Sequence, residues 1–124
     1  MGVRNIQITE KQLEASVYYP MDRNSPSVYD AKWFNDQDRS IKAMKKVFGP
    51  MFGIPYIPSF LLRAYTRIIV PIVTDGKLCD RFASGKEALR PVVFSHGLSG
   101  DKAMYTAVYH ALAAHGHLVV AVNH

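Results

Sequence analysis

Between Pro91 and Asp101 the chain reads Pro-Val-Val-Phe-Ser-His-Gly-Leu-Ser-Gly-Asp. An apolar run stops at His96-Gly97, and a helical pattern opens after Asp101. A glycine turn at the end of a strand lets backbone amides approach a ligand closely, because no Cβ stands in the way. Acyl transfer needs such amides, about 2.7–3.1 Å from the oxyanion that develops in the transition state. The Leu98 N–H is the candidate donor, and His96 and Gly97 are the candidate residues that support its loop.

The same stretch argues against other chemistries. Ser99 stands in Gly-Leu-Ser-Gly-Asp, not in the Gly-x-Ser-x-Gly of a nucleophile elbow. Asp101, the one acid after it, is too near in sequence to orient a distant imidazole. A dinucleotide loop wants Gly-x-Gly-x-x-Gly, and no third glycine follows at that spacing. His110, His115, His117 and His124 have no candidate acids beside them, so no metal site is expected and no cofactor is implied. Ser99 or Asp101 suits a helix cap instead. Cys79 is a single cysteine, so no internal disulfide forms and a free thiol is expected.

The elements around the loop follow from hydrophobic period. Val92-Val93-Phe94 and Leu118 to Val122 are continuous apolar runs, the pattern of parallel strands covered on both faces. Between them, Lys102 to His115 reads as a helix with Met104, Tyr105, Val108, Leu112 and Ala111 toward the core, stopped by Gly116. Strand, helix, strand is a βαβ unit with a right-handed crossover. Earlier, Ile6 and Ile8, then Ala15, Val17 and Tyr19, alternate with polar neighbours and predict short antiparallel strands. Met21 to Pro26 carries turn chemistry. Asp36 to Val47 has helical spacing through Ile41, Met44 and Val47 or Phe48, and Gly49-Pro50 is its expected stop. Residues 50–58 predict an irregular apolar loop, and Thr74 to Arg90 a polar connection.

From Ser59, a candidate N-cap, a helical run extends to Val70. It groups Phe60/Leu61, Ala64/Tyr65 and Ile68/Ile69 on one face, with Arg63 and Arg67 on another. At 1.5 Å per residue such a helix is far shorter than a bilayer core of about 30 Å, so it can lie on a membrane but not cross it. Phe60, Leu61, Arg63, Tyr65, Arg67 and Ile68 are the candidate lipid-interface residues; the plain alternative is that the apolar face packs on the sheet.

Charge supports that division. Lys and Arg against Asp and Glu number five to six in residues 1–40, nine to three in 41–90 and one to one in 91–124. The basic, aromatic middle suits an anionic lipid surface or nucleic acid, and the plain alternative is a solvated basic face. Nucleic acid is not expected, because no zinc, RNP or helix-turn-helix pattern accompanies it. The chain shows no apolar signal-peptide core and no long apolar span, so a cytoplasmic or peripheral-membrane location is expected.

Phe94-Ser95-His96-Gly97-Leu98 with Tyr105, then Leu112-Ala113-x-His115-Gly116 and the strand leading to His124, resembles the platelet-activating-factor acetylhydrolases of the plasma and type II kind. Val17-Tyr18-Tyr19-Pro20 is similar to that family's early strand. Ser99 departs from the family pattern, which has glycine there. The resemblance implies an α/β-hydrolase fold, of which residues 1–124 would be an N-terminal part of a single domain. Residues 1–90 would hold the antiparallel strands, helices and lipid-interface segment, and 91–124 the βαβ unit with the oxyanion loop. It implies hydrolysis of sn-2 acetyl or short or oxidised acyl esters of phospholipids, without metal, at a membrane or lipoprotein surface. It implies that the serine elbow, acid and catalytic histidine lie downstream of these residues, leaving the chain inactive alone. A non-catalytic lipid-surface protein and another α/β-hydrolase esterase are the alternative readings.

Overall fold

The alternation of Ile6 and Ile8, and of Ala15, Val17 and Tyr19, falls in the strands Gly2–Ile8 (β1) and Leu13–Tyr19 (β2). They pair antiparallel, Gly2 opposite Tyr19 and Ile8 opposite Leu13. The computed structural model describes residues 1–8, 13–22, 29–34, 36–51, 53, 57–97 and 100–123, apart from the side chains of Ile8, Phe48 and Tyr65. Most of the turn expected at Met21 to Pro26, and part of the loop expected at 50–58, lie outside the described residues.

Two compact units result, Met1–Ala31 with Pro71–His124, and Lys32–Val70. The first is built on a sheet. Its later elements are Val73–Thr74 (β3), Asp80–Ala83, Arg90–Ser95 (β4), a 3-10 turn at Lys102–Tyr105, a helix at Thr106–Ala114 and His117–Asn123 (β5). The strand order is β3-β1-β2-β5-β4. β2 and β5 are antiparallel, while β4 and β5 are parallel, Arg90 opposite His117 and Ser95 opposite Val122. The mixed sheet expected from the sequence is therefore present.

Coverage of the two parallel strands differs from the expectation. In β5, Val119 and Ala121 are fully buried. In β4 the residues alternate, with Val92 and Phe94 half-buried and Val93 74% exposed. β5 alternates too, with Val120 half-buried, but each β5 residue is better covered than its β4 partner, because β5 lies between β2 and β4, whereas no described strand pairs with the outer edge of β4.

The core over this sheet is aromatic. Tyr109 is fully buried, with ring centroids 4.8 Å from Tyr18 and 5.2 Å from Phe94, and Phe94 lies 4.7 Å from Tyr105. The helical stretch from Lys102 onward turns Lys102, Ala103, Tyr109 and Ala113 inward. Met104 and Val108, expected inside, are 39% and 47% exposed, and Ala111 is exposed too. The stretch opens as a 3-10 turn, which advances a residue every 120° rather than 100°, so the face shifts from the one a uniform α-helix would bury. Gly116 stops the helix as expected, at φ +83°.

In the second unit, the helix Gln37–Met51 (α1) buries Ile41 and Met44 and half-buries Val47, the predicted face. Asp36 caps it, its carboxylate accepting the Arg39 N–H at 3.0 Å. It does not stop at Gly49-Pro50; Pro50 is accommodated in the last turn, and Gly53 with φ +63° follows. The next helix, Ser59–Thr66 (α2), is shorter than predicted. Thr66, Ile68, Ile69 and Val70 are β-branched, which disfavours helix, and the backbone pairs in extended form, with Lys32 bridging Ile69 and the Trp33 N–H donating to the Ile68 carbonyl at 2.9 Å. Ser59 lies inside the helix, where its hydroxyl accepts from Lys45 Nζ at 2.7 Å.

Candidate functional site

In a parallel strand pair the carboxyl ends face the ligand crevice. β4 ends at Ser95, and His96-Gly97 leaves the sheet there. His96 Nδ1 lies 3.0 Å from the Gly97 carbonyl oxygen, so the tautomer protonated at Nδ1 donates to it. The Gly100 N–H also donates to the Gly97 carbonyl, at 3.0 Å. Gly100 is tightly packed: a Cβ on it would stand 3.0 Å from the Gly97 oxygen and 3.2 Å from His96 Cβ. Leu98 and Ser99, and with them the proposed oxyanion donor, lie outside the described residues, as does His124.

The loop's far end is fastened by capping. Asp101 accepts the Ala103 N–H at 2.8 Å through its carboxylate, and its carbonyl accepts the Met104 N–H at 3.0 Å. Asp101 thus takes the capping role that the sequence offered to it or Ser99. Lys102 follows, 6% exposed, with its Nζ 3.9 Å from Glu14 Oε2 on β2. Beneath, Ser16 donates to Asn5 Oδ1 at 2.6 Å, and Tyr18 meets Ser16 and Thr106. Burial pushes the Tyr18 and Tyr109 hydroxyls above the ordinary tyrosine range, and for Tyr109 the neighbouring Tyr18, Tyr105 and Asp101 add to it.

Sequence reasoning missed Lys102, Glu14 and Gly100. A signal for Lys102 was available: it is the one Lys or Arg in residues 91–124. Of the other described histidines, His115 Nδ1 is held 2.8 Å from the Ala111 carbonyl oxygen, and His110 lines a separate cavity with Cys79, Asp22 and Arg81. Among the described residues no group of His, Cys, Asp and Glu is arranged to hold a metal ion.

The lipid-interface candidates belong to the second unit. Phe60 is 70% exposed and Leu61 54%, while Leu62 and Thr66 form the buried side of α2. Ile68 and Ile69, beyond the helix, are 42% and 61% exposed. Arg67 is exposed, and Arg63 makes a loose surface pair with Asp38 at 3.6 Å. Tyr65's side chain is not among those described. No described helix is long and apolar enough to cross a membrane.

A family model, that of platelet-activating factor acetylhydrolase, isoform II, matches residues 4–124. The chain belongs to this family. No curated protein and no solved structure matches it. The acetylhydrolase family is one of hydrolases that act on phospholipid. The mixed five-stranded sheet with its helices is consistent with an α/β-hydrolase-like fold. The matched range spans both the His96-Gly97 loop and the exposed apolar segment after Ser59.

Proposed function

We propose that this chain supplies the oxyanion loop and lipid-facing segment of a serine esterase that hydrolyses the sn-2 acetyl or short or oxidised acyl ester of phospholipids. One observation carries the reading: a chain of the acetylhydrolase family has a His-Gly loop, closed by the Gly100 to Gly97 hydrogen bond, at the carboxyl end of a parallel strand. In this reading the Leu98 N–H donates to the oxyanion formed when a serine attacks the ester carbonyl. The acyl-serine then forms as the lysophospholipid leaves, and water releases the acid. His96 and Gly97 hold the loop backbone, and no metal takes part. Phe60, Leu61 and Ile68, with Arg63 and Arg67 beside them, rest on the membrane or lipoprotein surface, apolar side chains entering it and guanidinium groups meeting phosphates.

The 124 residues contain no Gly-x-Ser-x-Gly, so these residues alone are expected to show no turnover sensitive to serine-directed inhibitors. A chimera joining them to the elbow-bearing remainder of a family member tests the reading. It is expected to hydrolyse an acetyl-ester phospholipid. In it Leu98→Pro, which removes the amide hydrogen, lowers kcat by about 10²–10³. A folded chimera without turnover, or one indifferent to Leu98→Pro, overturns the reading. The exposure of Phe60 and Leu61 also favours a second reading, a lipid-surface protein without catalysis. Vesicle sedimentation of the chain alone, lost in Phe60→Ser/Leu61→Ser and weakened in Arg63→Glu/Arg67→Glu, together with an inert chimera, would select it.

A further inference from the structure

We propose that the second unit is a docking surface for an anionic bilayer, in which Lys42 and Lys46 of α1 join Arg63 and Arg67 to select that bilayer over a zwitterionic one. The choice of surface rests on the lipid-facing role given above to Phe60 and Leu61, and adds to it the helix before them.

Charge divides unevenly between the two units. Residues 32–70 carry seven Lys and Arg to two Asp and Glu, while the rest of the chain carries eight of each. The formal +5 therefore belongs wholly to the second unit. The same unit leaves large apolar side chains in water, with Met51 and Phe60 each 70% exposed and Ile69 61%. A solvated basic face accounts for the cations but not for apolar side chains among them.

The two helices bring both kinds of side chain to one surface. Arg63 of α2 stands 3.6 Å from Asp38 of α1, the Gln37 amide donates to the Thr66 carbonyl at 3.4 Å, and Lys45 donates to Ser59 at 2.7 Å. The start of α1 thus lies beside the end of α2, and the helices run antiparallel. At about 100° per residue, Asp38 and Lys45 come next to the buried Ile41 side of α1, where they meet α2. Lys42 and Lys46 come after them on the outer side, both exposed, with Arg39 on the same stripe. On α2 the order is the same: Leu62 and Thr66 are buried, Ser59 and Arg63 meet α1, and Phe60 comes after them on the outer side. Because the helices are antiparallel, the two progressions converge, and the lysine stripe shares its outer face with Phe60. Arg67, exposed, follows the last turn of α2. An apolar side chain flanked by cations suits an anionic leaflet, which attracts the charges while hydrocarbon takes the ring. A zwitterionic leaflet has no net charge, so it gains from Phe60 and little from the lysines. Each Lys or Arg close to an anionic leaflet strengthens binding about fivefold.

Sedimentation of the 124-residue chain with vesicles tests this, using phosphatidylcholine alone and phosphatidylcholine mixed with phosphatidylserine. Binding to the mixed vesicles is expected to be at least about tenfold tighter, and to weaken as salt rises. Lys42→Glu/Lys46→Glu should lower mixed-vesicle binding by about tenfold or more and leave binding to phosphatidylcholine unchanged. Lys42→Gln/Lys46→Gln decides the matter if the glutamates disturb α1, which circular dichroism reads. Lys86→Glu/Arg90→Glu makes the same change of charge in the first unit and should weaken mixed-vesicle binding far less. Equal binding to the two compositions, or equal losses in the two glutamate variants, overturns the proposal while leaving the lipid-facing role of Phe60 standing. Binding to neither composition overturns both. Mixed-vesicle binding that follows the lysines, ignores Phe60→Ser/Leu61→Ser and is displaced by duplex DNA would make the face a general polyanion site, and also overturns the proposal. An inert chimera whose vesicle binding still follows Lys42 and Lys46 would defeat the esterase reading alone.

Discussion

Val92-Val93-Phe94 on β4 and Val119-Val120-Ala121 on β5 pair residue for residue in a parallel ladder. On one face Val119 and Ala121 are sealed from solvent where their partners Val92 and Phe94 are half-buried, and on the other Val120 is half-buried where its partner Val93 is 74% exposed. The side chains are of the same kind, so their chemistry does not make the difference. Place in the sheet does: β5 is flanked by β2 and β4, and β4 stands at the edge of the described strands. One face of β4 is still needed, because Phe94 packs against Tyr105 and Tyr109. An apolar run therefore reports that a strand has something to cover, not that it is covered. The strand that launches the candidate site is the less enclosed of the two.

The sharpest way to break this contrast is to put a charge at the buried member. Val119→Asp leaves a carboxylate without a partner at a fully buried position. We expect a loss of about 3–5 kcal/mol, enough to unfold a domain whose total stability is of order 5–15 kcal/mol. Urea unfolding followed by circular dichroism reads it. A cooperative transition with its midpoint nearly unmoved would show that β5 is not the enclosed strand.

A smaller effect sharpens the account of the face that both strands share. Tyr109 is fully buried, and its hydroxyl has no hydrogen-bond partner among the described residues. Removing an unsatisfied buried hydroxyl while keeping the ring is expected to raise stability by about 1 kcal/mol, so Tyr109→Phe should shift the urea midpoint upward. The pH dependence has a definite sign. Burial raises the Tyr109 and Tyr18 pKa in the folded chain, so the folded state holds those protons more tightly than the unfolded one. Their contribution is complete below the unfolded tyrosine pKa of about 10 and is lost as pH rises beyond it toward the folded values. Tyr109→Phe should flatten that alkaline decline. Parallel declines in the two proteins would mean that Tyr109 ionises as readily folded as unfolded.

How much of this was legible follows the same division between local and topological information. The β1–β2 pairing, the Ile41-Met44-Val47 face, the Gly116 stop and the Asp101 cap each depend on a few neighbouring residues, and periodicity or turn chemistry carries them. The inward face after Lys102 was misread because a 3-10 opening changes the phase, and nothing in Lys102 to Tyr105 announces it. The end of the helix after Ser59 was overextended because the competing extended pairing of Ile68 and Ile69 is made with Lys32 and Trp33, distant in sequence. Of the candidate site, His96 and Gly97 were visible as a polar turn breaking an apolar run. The Lys102–Glu14 pair was not, because Glu14 acquires its meaning only once β2 is laid beside β5.

The smallest expected effect falls on the exposed member of the pair, and it separates stability from association. The Arg90 N–H donates to the Gly116 carbonyl, toward β5. By the two-residue alternation of a strand, Val92 and Phe94 turn the same way, and the N–H and C=O of Val93 face the open edge. Val93→Lys changes a side chain already in water, so its effect on unfolding free energy should lie within about 0.5 kcal/mol. Its effect on assembly should be larger, because an exposed apolar edge strand is a template for another copy and a lysine there discourages docking. Sedimentation velocity over a range of concentrations should show the parent chain associating and the lysine variant shifted toward monomer. Should Val93→Lys cost as much stability as a core substitution, β4 would be enclosed in solution after all, and the contrast with β5 would belong to something other than strand order.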